Sequence, residues 1–203
     1  SATGPRENTT LYPQFQPRAD ILEYVKRYVD ASKAFTMRPI GKLSGPATRG
    51  EGAESAFGGT LGNLIADAQL AATRSAGAQI AFMNPFGLRA PIVPGADGTV
   101  TFGDLYQTQP FGNEVVTETM TGAEIKATLE QGFDTNGPEQ VLSPSAGFSF
   151  RFDRSRPIGD RIVAMTFNGK PLDLKARYRV TVNGFLALGG DTFSGFVGKP
   201  DAV

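Results

Sequence analysis

Apolar residues recur at helical spacing in several segments of the chain. Residues 18–34 have a charged side and an apolar face, which predicts an amphipathic helix. The apolar face holds Ile21, Leu22, Val25, Tyr28 and Val29. A second helix is predicted over Thr60–Ala76, with Gly77 as its stop signal. A third begins at the capping box Thr121-Gly-Ala-Glu124 and continues through Gln131.

Strand patterns lie between these helices and dominate the last third of the chain. Short apolar or alternating runs predict strands at Pro39–Leu43, Gln79–Met83, Gly98–Phe102, Asn113–Met120, Gly147–Phe152, Arg161–Phe167 and Tyr178–Val182. A short helical turn is predicted at Gly103–Gln107, and Asn168-Gly169 is a hairpin-turn dipeptide. Because helices and strands do not alternate as regular βαβ units, the pattern predicts an α+β fold, with helices on one face of a mixed sheet.

Other segments lack periodicity. Residues 1–17 are polar and contain proline, which predicts a tether. Residues 44–57 are rich in Gly, Ala and Ser and predict a long loop. The whole chain has 203 residues, of which 40% are hydrophobic. This is enough for one ordinary domain with a packed core, with or without a tail.

The charge balance argues against polyanionic partners. Lys and Arg number 20, and Asp and Glu also number 20, so no net charge attracts nucleic acid or an anionic membrane. The longest apolar runs are too short to span a bilayer.

The chain contains no histidine and no cysteine. This excludes disulfides, thiol catalysis, Ser-His-Asp triads and metal sites that use His or Cys. A metal site in this chain would need oxygen ligands alone, and the sequence has no Asp-rich loop of the calcium-binding kind.

The stretch Asn183–Phe193 places a Gly-Gly-Asp turn shortly after the strand predicted at Tyr178–Val182. The pattern predicts a loop that carries an apolar ring, Phe185, and a carboxylate, Asp191. Such a pair suits a ligand with a ring to stack on and hydroxyls to hydrogen-bond, such as a nucleoside.

Two earlier turns carry candidate binding residues, and each allows two interpretations. Asn84 and Arg89 follow the strand Gln79–Met83 and are able to hold sugar hydroxyls or a phosphate, or to serve as a turn cap and a surface charge. Phe111, in a Pro/Gly turn, is either a stacking platform or a core residue at the sheet edge.

Several motifs in register resemble the C-terminal domain of the 5′-nucleotidase family, the metallophosphoesterases that include UDP-sugar hydrolases. They are Leu61–Ala68, Asn84–Arg89, Gln109–Asn113, Met120–Gly122, Ser149–Asp153 with Gly159–Arg161, and Tyr178–Phe193. The resemblance covers residues 39–196. It implies that residues 18–36 are the helix that links two domains, and that residues 37–203 are the nucleoside-binding domain.

The resemblance also implies a division of labour between two domains. In this family an N-terminal domain holds two divalent metal ions and performs the phosphate chemistry, whereas the C-terminal domain binds the nucleoside. This chain is therefore expected to hold no metal or other cofactor, to contribute no catalytic residue and to be inactive alone. Its expected partners are a nucleoside or nucleotide and the N-terminal domain of the same parent protein, which is expected to be periplasmic or extracellular.

Carried over position by position, the resemblance assigns the binding residues. Phe111 and Phe185 resemble the aromatic pair that encloses the base, and Asn113 the residue that meets the base edge. Asp191 resembles the acceptor of ribose hydroxyls, and Asn84 and Arg89 resemble residues on the ribose and phosphate side. The two remaining assignments are Gly147, whose backbone is expected close to the base, and Arg49, which is expected to face the phosphate.

Departures from the family pattern leave the substrate open. Pro85 and Phe86 stand where the family usually has glycines, and a bulky Phe86 either narrows the pocket or adds an apolar wall. Relatives act on nucleoside monophosphates, cyclic nucleotides, nucleotide sugars or carrier-bound thiosulfonates. A different class of function, a stand-alone ligand-binding or interaction module without hydrolase activity, is the alternative.

Overall fold

A computed structural model of the chain describes residues 16–50 and 56–203. The helices are α1 (Ala19–Thr36), α2 (Gly59–Ala72), α3 (Phe102–Thr108), α4 (Gly122–Gln131) and α5 (Gly184–Ala187). The strands are β1 (Pro39–Lys42), β2 (Ile80–Met83), β3 (Thr99–Thr101), β4 (Val115–Thr121), β5 (Ser143–Pro144), β6 (Phe148–Phe152), β7 (Ile162–Phe167), β8 (Lys170–Pro171) and β9 (Arg177–Asn183). The α+β class is confirmed.

A four-stranded mixed sheet in the order β4-β9-β2-β5 forms the centre of the fold. β9 runs parallel to β2 and antiparallel to β4, and β5 is antiparallel to β2. β1 pairs with β3, and β6, β7 and β8 form a separate antiparallel sheet. The parallel β2–β9 pair matters for function, because parallel strands end at the same edge of a sheet.

Both faces of the central sheet are covered, so the prediction that the helices lie on one face is wrong. On one face, Ile80 of β2 belongs to the core that includes Ile125 and Leu129 of α4. On the opposite face, Met83 of the same strand belongs to a second core with Leu61 of α2. All four residues of β2 are buried, as expected for a strand with packing on both sides.

Local signals placed most elements within a few residues of their observed bounds. The capping box at Thr121 and Glu124 is present, with both of its reciprocal hydrogen bonds. α2 ends at Ala72 rather than Ala76, since a tighter turn over Arg74–Ala76 takes its place before Gly77, which has a φ of 76°. The two-residue strands β5 and β8 had no sequence signal of their own.

α1 extends away from the central core. Its residues are exposed or half-buried throughout, including the predicted apolar face, where Tyr28 is 59% exposed. Its C-terminal end meets α3 through the rings of Phe35 and Phe102, whose centroids lie 4.3 Å apart. The predicted tether, residues 1–17, lies almost wholly outside the described residues. Within residues 16–50 and 56–203, no helix has the length and apolar character needed to cross a membrane.

Candidate functional site

The carboxyl ends of β2 and β9 form the floor of a cleft. β2 is followed by Asn84, β9 ends at Asn183, and the parallel register Ile80↔Val180 brings these ends together. Ligand sites commonly form where the chain leaves adjacent parallel strands at this edge. Two side-chain amides, each almost fully buried, therefore lie at the base of the cleft.

The cleft has a volume of about 230 Å³. Its lining includes the predicted residues Asn84, Arg89, Phe111, Asn113, Phe185 and Asp191. They come from separate turns, which only the folded chain brings together. The lining is completed by Met83, Phe86, Gly87, Gln109 and Asn183.

Phe111 and Phe185 present their rings to solvent at the cleft. They are 44% and 45% exposed, whereas Phe193, close to Phe185 in sequence, is fully buried. The interpretation of Phe111 as a core residue is therefore wrong. The Arg89 guanidinium carbon lies 5.2 Å from the centre of the Phe111 ring, which is within range of a cation–π interaction.

Phe185 lies on a short helix rather than on the predicted loop. α5 begins directly after β9, and Asn183 caps it by accepting a hydrogen bond from the backbone N–H of Leu186. The side chain of Leu186 is fully buried, whereas that of Phe185 faces the cleft. The helix therefore anchors one residue in the core and presents the next to the site.

Asp191 is held by the amide of Asn84. The Asn84 Nδ2 donates to Asp191 Oδ2 at 2.7 Å, and the Gln140 Nε2 donates to the Asp191 backbone carbonyl at 2.9 Å. Asp191 has a φ of 53°, in the left-handed region that non-glycine residues rarely adopt. A carboxylate accepts several hydrogen bonds, so Asp191 keeps acceptor capacity for a ligand.

Arg49 and Arg89 line a second, adjoining depression of about 230 Å³. The Arg49 Nη1 donates to the carbonyl of Pro85 at 3.1 Å, which ties it to the turn after β2. Arg89 lines both depressions. Two guanidinium groups beside a cleft suit an anionic group such as a phosphate.

The cleft does not include Gly147. The backbone carbonyl of Gly147 accepts a hydrogen bond from the N–H of Asn168 at 2.7 Å, at the edge of the β6–β7 pair. A side chain at Gly147 would meet the Asn168 side chain, with 2.8 Å between Cβ and Oδ1. The structure explains this glycine by the local turn, and its predicted position next to the base has no support from the cleft.

Sequence reasoning gave no role to Gln109 or Asn183, although both stand in the motifs that were singled out. Gln109 donates to the carbonyl of Gly87 at 3.3 Å and so joins α3 to the turn after β2. Asn183 donates to Asn84 Oδ1 at 2.9 Å. A polar residue at the carboxyl end of a strand was the available signal for Asn183.

The fold and the cleft together define an α+β domain with an aromatic and amide-lined cleft at its strand ends. The family model of the 5′-nucleotidase C-terminal domain matches residues 39–198. The chain belongs to this family, as the resemblance predicted.

Relatives with known names agree with this assignment. The chain is 37% identical over 144 residues to the trifunctional nucleotide phosphoesterase protein YfkN of Bacillus subtilis, an alignment that covers 67% of this chain and 10% of that protein. It is 26% identical over 197 residues to a probable 5′-nucleotidase of Treponema pallidum, covering 88% of this chain and 32% of that protein. The chain thus spans less than half the length of these relatives.

A solved structure shows the same fold. The 5′-nucleotidase precursor from Thermus thermophilus matches with a TM-score of 0.78 and 34% sequence identity. The match covers 94% of this chain and 38% of that one.

Proposed function

We propose that this chain binds the nucleoside part of the substrate of a 5′-nucleotidase-type phosphohydrolase. The observation that carries the proposal is one cleft that combines two exposed aromatic rings with a carboxylate held by an amide. A nucleoside has a flat base and a hydroxyl-bearing sugar, which are the two features that such a cleft is able to bind.

The aromatic side of the cleft suits the base. Stacking on an aromatic side chain contributes about 1–3 kcal/mol per base. Phe111 and Phe185 provide this surface in the proposal, and Asn113 offers amide groups to the base edge. Phe86 adds a further apolar wall.

The polar side of the cleft suits the ribose and the phosphate. Asp191 accepts hydrogen bonds from ribose hydroxyls, and Asn84 lies beside it. Arg89 and Arg49 extend the site toward the phosphate, since guanidinium groups bind phosphate oxygens through paired hydrogen bonds. One end of the bound nucleotide therefore lies between rings and the other lies among positive charges.

The hydrolysis itself belongs, in this proposal, to another part of the parent protein. Two divalent metal ions in an N-terminal domain polarise the phosphate and activate water, and the parent hydrolyses nucleoside monophosphates or related nucleotides. This chain alone is expected to be inactive. The parent protein is proposed to be periplasmic or extracellular. The name of the cell wall protein Lmo0130 of Listeria monocytogenes, 32% identical over 144 residues that cover 67% of this chain and 18% of that protein, supports a location outside the cytoplasm.

Ligand-observed NMR of the chain with adenosine, uridine, AMP and ribose 5-phosphate tests the proposal. We expect saturation transfer to be strongest at the base protons and to be lost in Phe185→Ala. Tyr106→Ala is the matched control, because Tyr106 is an aromatic residue that is 57% exposed and lies outside the cleft lining. Absence of transfer to every base in the wild-type chain would contradict the proposal.

The division of labour has a separate test. Purified chain with added Mn²⁺ and AMP should release no phosphate above the level of a buffer control. Turnover at an enzymatic rate would show that this chain carries the chemistry itself.

A further inference from the structure

Asn183, at the base of the cleft, is hydrogen-bonded both to α5 and to Asn84 through the oxygen and the nitrogen of its side-chain amide. Its Oδ1 accepts the backbone N–H of Leu186 at 3.0 Å, and its Nδ2 donates to Asn84 Oδ1 at 2.9 Å. The first contact caps α5, the helix that carries Phe185. The second contact leads through Asn84 to Asp191. Asn183 is only 6% exposed, so water cannot readily replace either partner.

The backbone N–H of Leu186 gives this chain of hydrogen bonds its direction. An N–H only donates, so it requires the oxygen of Asn183 on its side and places the NH₂ group of Asn183 toward Asn84. Asn84 must then turn its own oxygen toward Asn183 and its NH₂ group toward Asp191. Each amide orientation follows from the preceding one, and the series ends on a carboxylate oxygen at 2.7 Å.

Asp191 needs such support. Its backbone lies in the left-handed region, with φ 53° and ψ 29°, and the next residue, Thr192, has a φ of 69°. Such a backbone persists where surrounding contacts hold it, often at ligand sites. Gln140 holds the Asp191 carbonyl and Asn84 holds its carboxylate.

We propose that Asn183 is a positioning residue, which sets the stacking ring Phe185 and the hydroxyl acceptor Asp191 relative to each other. The inference rests on the proposed function, since it assigns Asn183 to the same nucleoside site. Asn183 does so through two hydrogen bonds: the one that caps α5 and the one to Asn84. Different substitutions remove one of these hydrogen bonds or both.

Asn183→Ser and Asn183→Asp remove the hydrogen bond to Asn84 and keep the cap of α5. Serine and aspartate are both good helix N-caps, so α5 retains its start, but neither side chain provides an NH₂ donor to Asn84. We expect affinity for adenosine to fall about tenfold or more, because Asn84 loses the donor that fixes its orientation and no longer holds its NH₂ group on the charged Asp191. Affinity for 2′,3′-dideoxyadenosine, which lacks the hydroxyls that Asp191 accepts, should stay unchanged.

The control variant is Asn63→Asp. Asn63 is exposed, donates one hydrogen bond to the carbonyl of Pro144, and lies outside the cleft lining, so this variant loses an amide and gains a charge elsewhere. It should bind both nucleosides as the wild type does. Equal losses for adenosine and dideoxyadenosine in Asn183→Ser, or no loss for either, would overturn the inference.

Hydrogen exchange by NMR decides the question without a ligand. In the wild type, the side-chain amide of Asn84 and the backbone N–H of Leu186 should both exchange slowly. In Asn183→Ser the oxygen of Asn84 loses its donor, so the side chain of Asn84 is free to turn and its NH₂ group leaves Asp191. This variant should therefore speed exchange of the Asn84 side-chain amide alone, whereas Asn183→Ala should speed exchange of both groups. An Asn84 amide that stays protected in Asn183→Ser refutes the positioning role. If the wild-type chain binds no nucleoside, the proposed function fails while this measurement still stands.

Discussion

The ring of Phe185 fits at the cleft because residue 190 is a glycine, which has no side chain. A Cβ at Gly190 would lie 2.4 Å from the nearest atoms of the Phe185 ring. The ring therefore lies directly against the backbone of the turn that carries Asp191. This contact links the two proposed ligand groups more closely than their separation along the chain suggests.

Gly190→Ala should weaken nucleoside binding with little loss of stability. The added methyl must displace the Phe185 ring, which is half-exposed and free to rotate toward solvent at small cost in folding free energy. We expect a change in unfolding free energy of no more than about 1 kcal/mol. Adenosine titration and thermal unfolding of the same samples measure both effects. Gly45→Ala is the control, because Gly45 lies in a bend, lacks a positive φ and has open space for an added Cβ. Full adenosine affinity in Gly190→Ala would contradict the expectation.

Glu118 is a buried carboxyl in the middle of β4. It is 1% exposed, and its Oε1 has no hydrogen-bond partner within the described part of the chain. Burial raises its pKa to about 7, although Lys199 acts in the opposite direction. Nearby Asp201 and Glu124 raise the pKa further, and Arg179 lowers it. The folded chain therefore holds a proton that the unfolded chain releases near pH 4.5.

Stability should fall as the pH rises from about 4.5 to about 7, because the unfolded state loses its proton from Glu118 first. Glu118→Gln keeps the shape and removes the charge. We expect it to raise the free energy of unfolding at pH 8 by on the order of 2 kcal/mol and to leave it nearly unchanged at pH 4. Urea unfolding at both pH values tests this, with Glu23→Gln on the exposed α1 as the control. The same pH dependence in Glu118→Gln and wild type would refute it.

At the level of elements, α4 shows how a local signal and a distant contact act on one side chain. Glu124 Oε2 accepts the backbone N–H of Thr121 at 2.7 Å, which closes the capping box. Its other oxygen accepts from Lys199 at 2.8 Å, and this hydrogen bond, together with the capping box, lowers the pKa of Glu124 to about 2. The sequence revealed the box, but not the lysine.

Thr121→Ala should destabilise the domain by about 1 kcal/mol, since it removes the hydroxyl that accepts the Glu124 N–H. Thr121→Ser, which keeps a hydroxyl, should lose less than half of that. Urea unfolding at pH 7 compares the two variants with the wild type. Equal stability of the alanine and serine variants would show that the cap does not contribute.

The sequence predicted the helices and strands that have a local signal. It missed the short strands that exist only because they pair with a distant strand. Capping residues, glycine stops and apolar periodicity located α1, α2 and α4 within a few residues. The strand β5 has two residues and exists because it pairs with β2. No pattern in two residues indicates such a strand, because its hydrogen-bond partners come from a distant part of the sequence.

At the scale of the whole molecule, α1 is unusual because its apolar face is not buried against the core. Its apolar residues Ile21, Leu22, Val25 and Val29 are about half exposed, and it meets α3 through Phe35. Arg38 adds a cation over the rings of Phe35 and Phe102, at 5.3 Å and 5.5 Å. The buried residues of the main core thus come from outside α1. The division into a linker helix over residues 18–36 and a domain over residues 37–203 stays a prediction.

A chain that starts at Arg38 should fold as the full chain does. We expect its free energy of unfolding to be lower by no more than about 1 kcal/mol, the order of one aromatic contact. The matched control is Phe35→Ala in the full chain, which removes the same contact and keeps the helix. Thermal and urea unfolding compare the two. A much larger loss in the shortened chain than in Phe35→Ala would show that α1 is part of the core.

The sequence by itself determined the helices α1 to α4, most strands, the α+β class and the family, because these follow from local periodicity, capping and short motifs. It also pointed to Phe111, Phe185 and Asp191. Only the tertiary structure decided that both sheet faces are covered, that Gly147 lies away from the cleft, and that Asn84 holds Asp191 from 107 residues away. Such contacts depend on which strands lie side by side, and no local pattern encodes that neighbourhood.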